Sequence, residues 1–135
     1  MRSLSAVLAA CIYWLCSGPA LGAQQTVTAR IDDDGVQRVR IVGGEYFFEP
    51  QRVTVKANVP VELILTKQAG VVPHSFVINA AEAGVSVDEE LGTEAKKVRF
   101  TPTAVGSYPY YCGHRLLFFK SHRDRGMEGA LEVVP

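Results

Sequence analysis

The sequence predicts an all-β domain, an antiparallel sandwich of two sheets. Short apolar segments, many of period two, recur along residues 26–134 and are separated by turn signals that contain Gly, Pro, Asn or Asp. Val, Ile and Thr, which favour extended backbone, are frequent in these segments. Without a predicted leader about 110 residues remain, which suits one two-sheet domain and not two domains.

The first residues predict a signal peptide that covers residues 1–22. Arg2 opens it, an apolar run occupies residues 4–16, and Ala20-Leu21-Gly22 fits a small-x-small cleavage site. The run is too short to span a bilayer comfortably, and no later segment is long enough, so we expect no membrane span. We therefore expect export to the periplasm and one domain at residues 23–135.

Cysteine content and charge restrict what the exported domain can be. Removal of the leader takes away Cys11 and Cys16 and leaves Cys112 as a single thiol, so no internal disulfide can form. Lipidation at Cys11 is a less favoured alternative, because an apolar tail would follow the modified residue.

Loss of Arg2 leaves a net charge of about −1, which gives no bulk electrostatic argument for binding nucleic acid. We expect a monomer stabilised by its core.

The first half of the domain predicts a hairpin and two further strands. Residues 26–31 and 36–42 flank Asp32-Asp33-Asp34-Gly35. Asp-Gly between alternating segments is a hairpin signal, because Gly accepts the positive φ that the turn requires. Further strands are predicted at residues 52–57 and 61–66.

The second half predicts four more extended segments, at residues 73–78, 96–101, 107–112 and 130–134. Residues 79–91 alone have helical character, because they are rich in Ala, but Gly84 interrupts them and limits the helix to a turn or two. Pro109 lies in the strand that ends at Cys112. It removes a ladder hydrogen bond unless it faces an edge or a bulge.

One stretch near the C-terminus concentrates side chains that bind metals. Residues 110–129, YYCGHRLLFFKSHRDRGMEG, contain Cys112, His114, His122 and Met127. Thiolate, imidazole and thioether are the ligands of a soft metal, and two His with one Cys and a weak axial Met form a mononuclear blue-copper site. His74, which opens a strand elsewhere, can supply the second imidazole.

Two histidines of this stretch compete for one ligand position. His114 and Cys112 are two residues apart in an extended chain and begin about 7 Å apart at Cα, so they cannot easily bind one ion together. His122 is followed by Met127, and we rank it above His114. If residues 115–123 form about two helical turns, His114 and His122 share one helical face, and the helix returns His122 to the metal.

These residues resemble the cupredoxins, the small copper proteins of the plastocyanin, azurin and rusticyanin type. The segments that carry the resemblance are Phe47-Phe48-Glu49-Pro50, Pro73-His74-Ser75-Phe76-Val77, Gly106-x-Tyr108-x-Tyr110-Tyr111-Cys112 and Gly126-Met127-Glu128-Gly129. The resemblance implies a Greek-key β-sandwich with one copper ion at one pole and a short helical insertion in the ligand loop. It implies four metal ligands: His74, Cys112, His122 and Met127.

Besides the competing His114 and Pro109 in the strand before Cys112, the sequence departs from the family pattern at two places near these ligands. Nine residues separate Cys112 from His122, far more than in most of the family. Ser75 stands where Asn often follows the first ligand His. The substitution leaves undetermined whether the usual hydrogen bond to the thiolate forms.

The implied function is one-electron transfer by a copper ion that cycles between Cu(I) and Cu(II). We expect no enzymatic activity, because three His in the domain are too few for a trinuclear copper cluster beside a mononuclear centre. A redox partner protein is expected at an apolar rim formed by Leu116, Leu117, Phe118 and Phe119. A neighbouring basic cluster that could steer an acidic partner comprises Arg115, Lys120, Arg123 and Arg125. The alternatives are a periplasmic copper carrier or buffer and a metal-free interaction module.

Overall fold

The structure, a computed structural model, describes residues 24–135. The predicted signal peptide, residues 1–22, lies outside the described residues. The strands in chain order are β1 (Thr26–Thr28), β2 (Arg30–Ile31), β3 (Gln37–Gly43), β4 (Phe48–Glu49), β5 (Arg52–Lys56), β6 (Val61–Lys67), β7 (Ser75–Ala80), β8 (Val85–Glu90), β9 (Lys96–Phe100), β10 (Gly106–Tyr111) and β11 (Glu128–Val134).

The strands form two sheets that pack as a sandwich. One sheet has the order β1-β5-β11-β10-β7-β8, and the other has the order β2-β3-β6-β9 with β4 paired to β3. The pairs β1–β5, β5–β11 and β3–β6 are parallel, whereas the other pairs are antiparallel. The expected all-β Greek-key sandwich is confirmed, although its sheets are mixed and not wholly antiparallel.

Alternating side chains put one face of each sheet into the core. On β6 the side chains of Val61, Leu63 and Leu65 are fully buried. On β3 Val39 and Ile41 are buried, whereas the intervening Arg40 is exposed. Because successive residues of a strand point to opposite faces, this pattern produces a dry interior between two polar surfaces.

Two local predictions have different outcomes. The Asp-Gly hairpin is confirmed, since β2 and β3 pair antiparallel and Gly35 has a φ of 77°. The helical character predicted for residues 79–91 is limited to one 3₁₀ turn, Ala81–Ala83. Gly84, with a φ of 74°, ends that turn, and β8 follows with Val85 and Val87 buried in the core.

An aromatic cluster supports one end of the core. The Tyr110 ring stacks on Phe76 at 5.0 Å between centroids, and Phe48 meets both rings edge-on at 5.5 Å. The Tyr110 hydroxyl donates to the Pro50 carbonyl at 2.7 Å. The paired register of β10 with β7 begins only at Tyr110, so Pro109, which has no N–H to donate, lies just outside that ladder.

Candidate metal centre

Three strand ends meet at one edge of the six-stranded sheet. There β10 lies between β11 and β7 and runs antiparallel to both, so its end lies beside the starts of β7 and β11. His74 immediately precedes β7, Cys112 immediately follows β10, and Met127 immediately precedes β11. The strand register therefore brings three of the four predicted ligands to one pole of the sandwich, termed here the ligand pole.

The donor atoms of His74, Cys112 and His122 converge at the ligand pole. The two Nδ1 atoms lie 3.2 Å apart, and the Cys112 Sγ lies 3.4 Å from that of His122 and 3.9 Å from that of His74. A point equidistant from three atoms at these separations lies about 2.0 Å from each, close to the bonds of about 2.0–2.3 Å that N and S ligands make with zinc. The exposed fractions of His74, Cys112 and His122 are 4, 1 and 7 %. This donor set fits one metal ion.

Burial favours the neutral form of both imidazoles. Desolvation, with a smaller effect from His122, lowers the pKa of His74 to about 4. The pKa of His122 is also lowered, first by burial and then by the charges of His114 and Arg125. Neutral imidazole is the form that binds a metal, so at neutral pH neither ring has to lose a proton first.

Met127 is fully buried and is tied by its backbone to two other predicted ligands. Its N–H donates to the His122 carbonyl at 3.0 Å, and its carbonyl accepts the Cys112 N–H at 3.1 Å. Its methyl end packs against Gly43, where a Cβ atom would lie 3.3 Å from Cε. Met127 lies at the ligand pole and stays the predicted axial ligand.

His114 lies outside the cluster of converging donors. Its Nε2 lies 2.9 and 3.0 Å from the two carboxylate oxygens of Glu90, and 31 % of its side chain is exposed. The centroids of the His114 and His122 rings are 6.0 Å apart. This geometry favours His122 over His114 as the ligand, which is the order inferred from the sequence.

The long segment before His122 does not form the helix expected at residues 115–123. In the described chain, the helical element between β10 and β11 is a single 3₁₀ turn, Arg123–Arg125, and this turn alone represents the expected helical insertion. Leu117 and Phe118, which lie within the expected helix, are exposed. A short helix without a core surface to cover lacks the packing that would stabilise it.

A backbone hydrogen bond closes this segment. The His122 N–H donates to the His114 carbonyl at 3.0 Å, so residues 115–121 form an excursion whose two ends meet. The excursion accommodates the extra residues and still returns His122 to the ligand pole.

Ser75 contacts the thiol although it replaces the expected Asn. Its backbone N–H donates to the Cys112 Sγ at 3.3 Å, and its Oγ lies 3.9 Å from the same sulfur. The Oγ also accepts the Gly113 N–H at 2.9 Å. The serine therefore links the residue after Cys112 to the start of β7.

Tyr46 borders the site and was not identified from the sequence. Its ring lies edge-on to His122 at 5.1 Å and to His74 at 6.3 Å. The Arg125 guanidinium lies 4.8 Å from the centre of the Tyr46 ring. The preceding Gly43-Gly44 pair was the available signal, because it indicates a tight turn, but nothing local places that turn beside the histidines.

A groove of about 360 Å³ opens beside His122. Its apolar walls include Val72, Leu116 and Phe119, and basic side chains of Arg115 and Lys120 also line it. The Phe119 N–H donates to the Leu116 carbonyl at 2.9 Å, which makes residues 116–119 a turn, termed here the apolar turn.

Among the helical segments of residues 24–135, none is long and apolar enough to cross a membrane.

Solved copper proteins share this fold at low sequence identity. The metal-binding domain of the Cu(I)-exporting P-type ATPase CopA of Streptococcus pneumoniae D39, solved with Cu(I), has a TM-score of 0.64 at 22 % identity, over 84 % of this chain and 100 % of that chain. Auracyanin A, a "blue" copper protein of Chloroflexus aurantiacus, has a TM-score of 0.55 at 22 % identity, over 74 % of this chain and 100 % of that chain. No curated protein matches the chain by sequence.

A family model described as the cupredoxin-like domain matches residues 5–122. The matched range includes His74, Cys112 and His122, whereas Met127 lies beyond its end. The match covers most of the chain, and the sandwich and its ligand pole agree with it. The resemblance to the cupredoxins is confirmed, and the chain belongs to the cupredoxin-like domain family.

Proposed function

We propose that this protein is a periplasmic mononuclear copper protein that carries single electrons between redox partners. The observation that carries the proposal is the convergence of one thiol and two imidazoles, with donor atoms no more than 3.9 Å apart, at one pole of the sandwich. This ligand set, with a thioether nearby, is that of a blue-copper electron-transfer site. The proposed ligands are His74, Cys112, His122 and Met127.

The residues around the site set the conditions for this chemistry. Copper, when bound, supplies a one-electron couple between Cu(I) and Cu(II). Cys112 loses its proton on binding, because the thiolate is the form that ligates. The Ser75 N–H, 3.3 Å from Sγ, stabilises the negative charge of that sulfur. Burial of His74 and His122 excludes water from the ligands.

His122 offers the route by which an electron enters or leaves. It lines the groove at the ligand pole together with Leu116 and Phe119, so a redox partner protein docked there contacts the ligand ring. A small apolar contact with a basic rim suits a transient complex with an acidic partner. In this role the protein is a monomeric carrier and not an enzyme.

Addition of Cu(II) to the purified domain tests the thiolate ligand. We expect an intense visible charge-transfer band from the wild type and none from Cys112→Ser, because the transition requires the sulfur. Voltammetry of the same sample is expected to show a reversible one-electron couple. A colourless Cu(II)-loaded wild type would overturn the proposal.

The two nearby histidines provide a matched pair of variants. We expect His122→Ala to abolish or strongly alter the visible band, because it removes a predicted ligand. His114→Ala is expected to retain the band, because Nε2 of that residue faces Glu90. Absorption spectra of the copper-loaded variants measure both effects. The reverse outcome would reassign the ligand to His114.

Copper carriage is the second candidate function. The fold likeness to the CopA metal-binding domain solved with Cu(I) favours it. Tight Cu(I) binding without a reversible couple in voltammetry would indicate a carrier or buffer that uses the same ligands. A melting temperature unaffected by added copper would instead indicate a metal-free interaction module, because a ligand that binds the native state raises that temperature.

A further inference from the structure

The apolar turn protrudes from the ligand pole. Phe118 is 101 % exposed and Leu117 is 75 % exposed, and both occupy central positions of the turn. Neither side chain lines the groove beside His122, in contrast to Leu116 and Phe119. This pair is therefore available for a contact distinct from the proposed docking of a redox partner.

The conformation of the turn is unusual for its residues. Turn centres usually hold Gly, Asn, Asp, Pro or Ser. Leu117 instead has a φ of 46°, a region in which residues with a Cβ atom are strained. Two large apolar side chains are thus displayed to the exterior at a cost in backbone strain and lost burial. A contact with an apolar phase outside the domain accounts for this display.

Basic side chains flank the apolar turn. Arg115 and Lys120 adjoin it and are exposed, and residues 113–123 contain no Asp or Glu. The Arg115 Nε donates to the Phe119 carbonyl at 3.3 Å, which holds the guanidinium at the base of the turn. Val71, which is 99 % exposed, lines the same groove as Leu116 and Phe119. An apolar tip with basic flanks is complementary to the interface of a bilayer with anionic headgroups.

The chain also enters the described domain at this pole. β1 runs parallel to β5, and β5 runs parallel to β11, which starts next to Met127. Gln24 accordingly lies in one surface depression with Gly126 and Glu128. The described part of the chain therefore begins at the same edge of the sheet as the ligand pole.

We propose that the apolar turn inserts Leu117 and Phe118 into the interfacial layer of an anionic phospholipid bilayer, with Arg115 and Lys120 on the lipid phosphates. The tip consists of two adjacent side chains that project from one turn, a shape that can enter the interfacial layer of a bilayer without a preformed cavity. Membrane contact orients the ligand pole toward the bilayer. It uses none of the proposed metal ligands, so its failure would leave the copper site intact, although Arg115 and Lys120 also line the groove proposed for the redox partner.

Vesicle flotation of the metal-free and copper-loaded domain tests this proposal. The domain from Ala23 onward contains every described strand and the whole described core. We expect it to bind vesicles of phosphatidylglycerol and phosphatidylcholine in equal parts. Leu117→Asn combined with Phe118→Ser is expected to weaken binding about tenfold or more, and Asn tolerates the left-handed backbone. Arg115→Ala combined with Lys120→Ala should weaken it about tenfold as well.

Matched controls lie outside the apolar turn and its basic flanks. Val105, which is 59 % exposed, precedes the opposite end of β10, so Val105→Ser controls for loss of an exposed apolar side chain. Arg40→Ala combined with Lys97→Ala, on the other sheet, controls for loss of charge. We expect both controls to bind as the wild type does.

The outcomes separate this proposal from the electron-transfer function. The proposal would be overturned if the wild-type protein did not bind anionic vesicles, or if the Leu117→Asn, Phe118→Ser variant bound them as strongly as the wild type does. Either result would favour a protein partner for the apolar turn. Vesicle binding by a protein that develops no visible band with Cu(II) would support membrane contact and overturn the electron-transfer function alone.

Discussion

One hydroxyl group links the two segments that deliver His74 and Cys112. The Ser75 Oγ accepts the Gly113 N–H, while the Ser75 N–H faces the thiol. Serine is shorter than the Asn implied by the resemblance, yet its Oγ reaches the Gly113 N–H at 2.9 Å.

Ser75→Ala tests this bridge. The variant keeps the N–H that faces the thiol but removes the acceptor of the Gly113 N–H. We expect a loss of about 1 kcal/mol in the free energy of unfolding. We also expect a shift in the visible band, because the loop after Cys112 is less restrained. Ser86→Ala, on the exposed face of β8, is the matched control and should change neither quantity in denaturant titration and absorption spectroscopy.

Met127→Leu tests the proposed axial ligand. Leu fills about the same volume, so the buried packing around Met127 is largely retained. The thioether is lost, and because a weak axial donor stabilises Cu(II) more than Cu(I), we expect the reduction potential to rise. Voltammetry of the copper-loaded variant measures the change. An unchanged potential would remove Met127 from the ligand set.

At the scale of elements, the join between β10 and β11 depends on close packing over a glycine. Gly129 lies opposite Tyr110 in the ladder. A Cβ atom at Gly129 would overlap the Tyr110 ring and the Gln51 carbonyl oxygen. The ring cannot easily move away, because its hydroxyl is bonded to the Pro50 carbonyl and its face stacks on Phe76.

Gly129→Ala should therefore destabilise the domain by about 2 kcal/mol or more, the cost typical of overpacking a tight core. Gly92→Ala is the control, because the nearest atoms to a Cβ there lie 3.8 Å away. We expect the control to leave the free energy of unfolding in urea nearly unchanged. Equal stability of the two variants would show that the Tyr110 ring is not held in place.

At the scale of the whole molecule, two kinds of titrating group affect the stability of the metal-free protein in separate pH ranges. The pKa of His74 is about 4 in the folded protein against an ordinary 6.5, so between these values the unfolded chain binds more protons. That contribution to stability is lost as the pH falls from about 6.5 to about 4. Arg99 and then Arg38 lower the pKa of Glu62 from 4.5, so its contribution is lost only at more acidic pH.

The melting temperature of the metal-free protein should consequently fall as the pH is lowered from 7 to 5. For His74 alone, the unfolding equilibrium constant changes by at most about tenfold per pH unit. His122, whose pKa is lowered in the same direction, adds to the effect. His74→Asn should flatten the dependence in thermal melts recorded across this range. A wild-type melting temperature that is constant from pH 7 to 5 would contradict the burial of neutral histidines.

Local patterns predicted much of the fold and the chemical nature of the site. Period-two alternation is a property of adjacent residues, so the strands around Val39 and Leu63 could be recognised without tertiary information. The positive φ of Gly35 followed equally from the local turn signal. Thiolate, imidazole and thioether are properties of residue type, so residue identity alone was enough to select Cys112 and Met127 as candidate ligands.

The sequence by itself thus determined most of the strands, the hairpin and the donor set, because each depends on residue identity or on neighbouring residues, but it missed β8, which lies in the segment predicted to have helical character. Only the tertiary structure decided which histidine reaches the thiol, because His74 and His122 are 48 positions apart and meet only through the pairing of β7, β10 and β11. It also decided that residues 115–121 form an excursion. Helix formation there depended on a core surface to cover, and the positions of the sheets, not the local pattern, determine where such a surface lies.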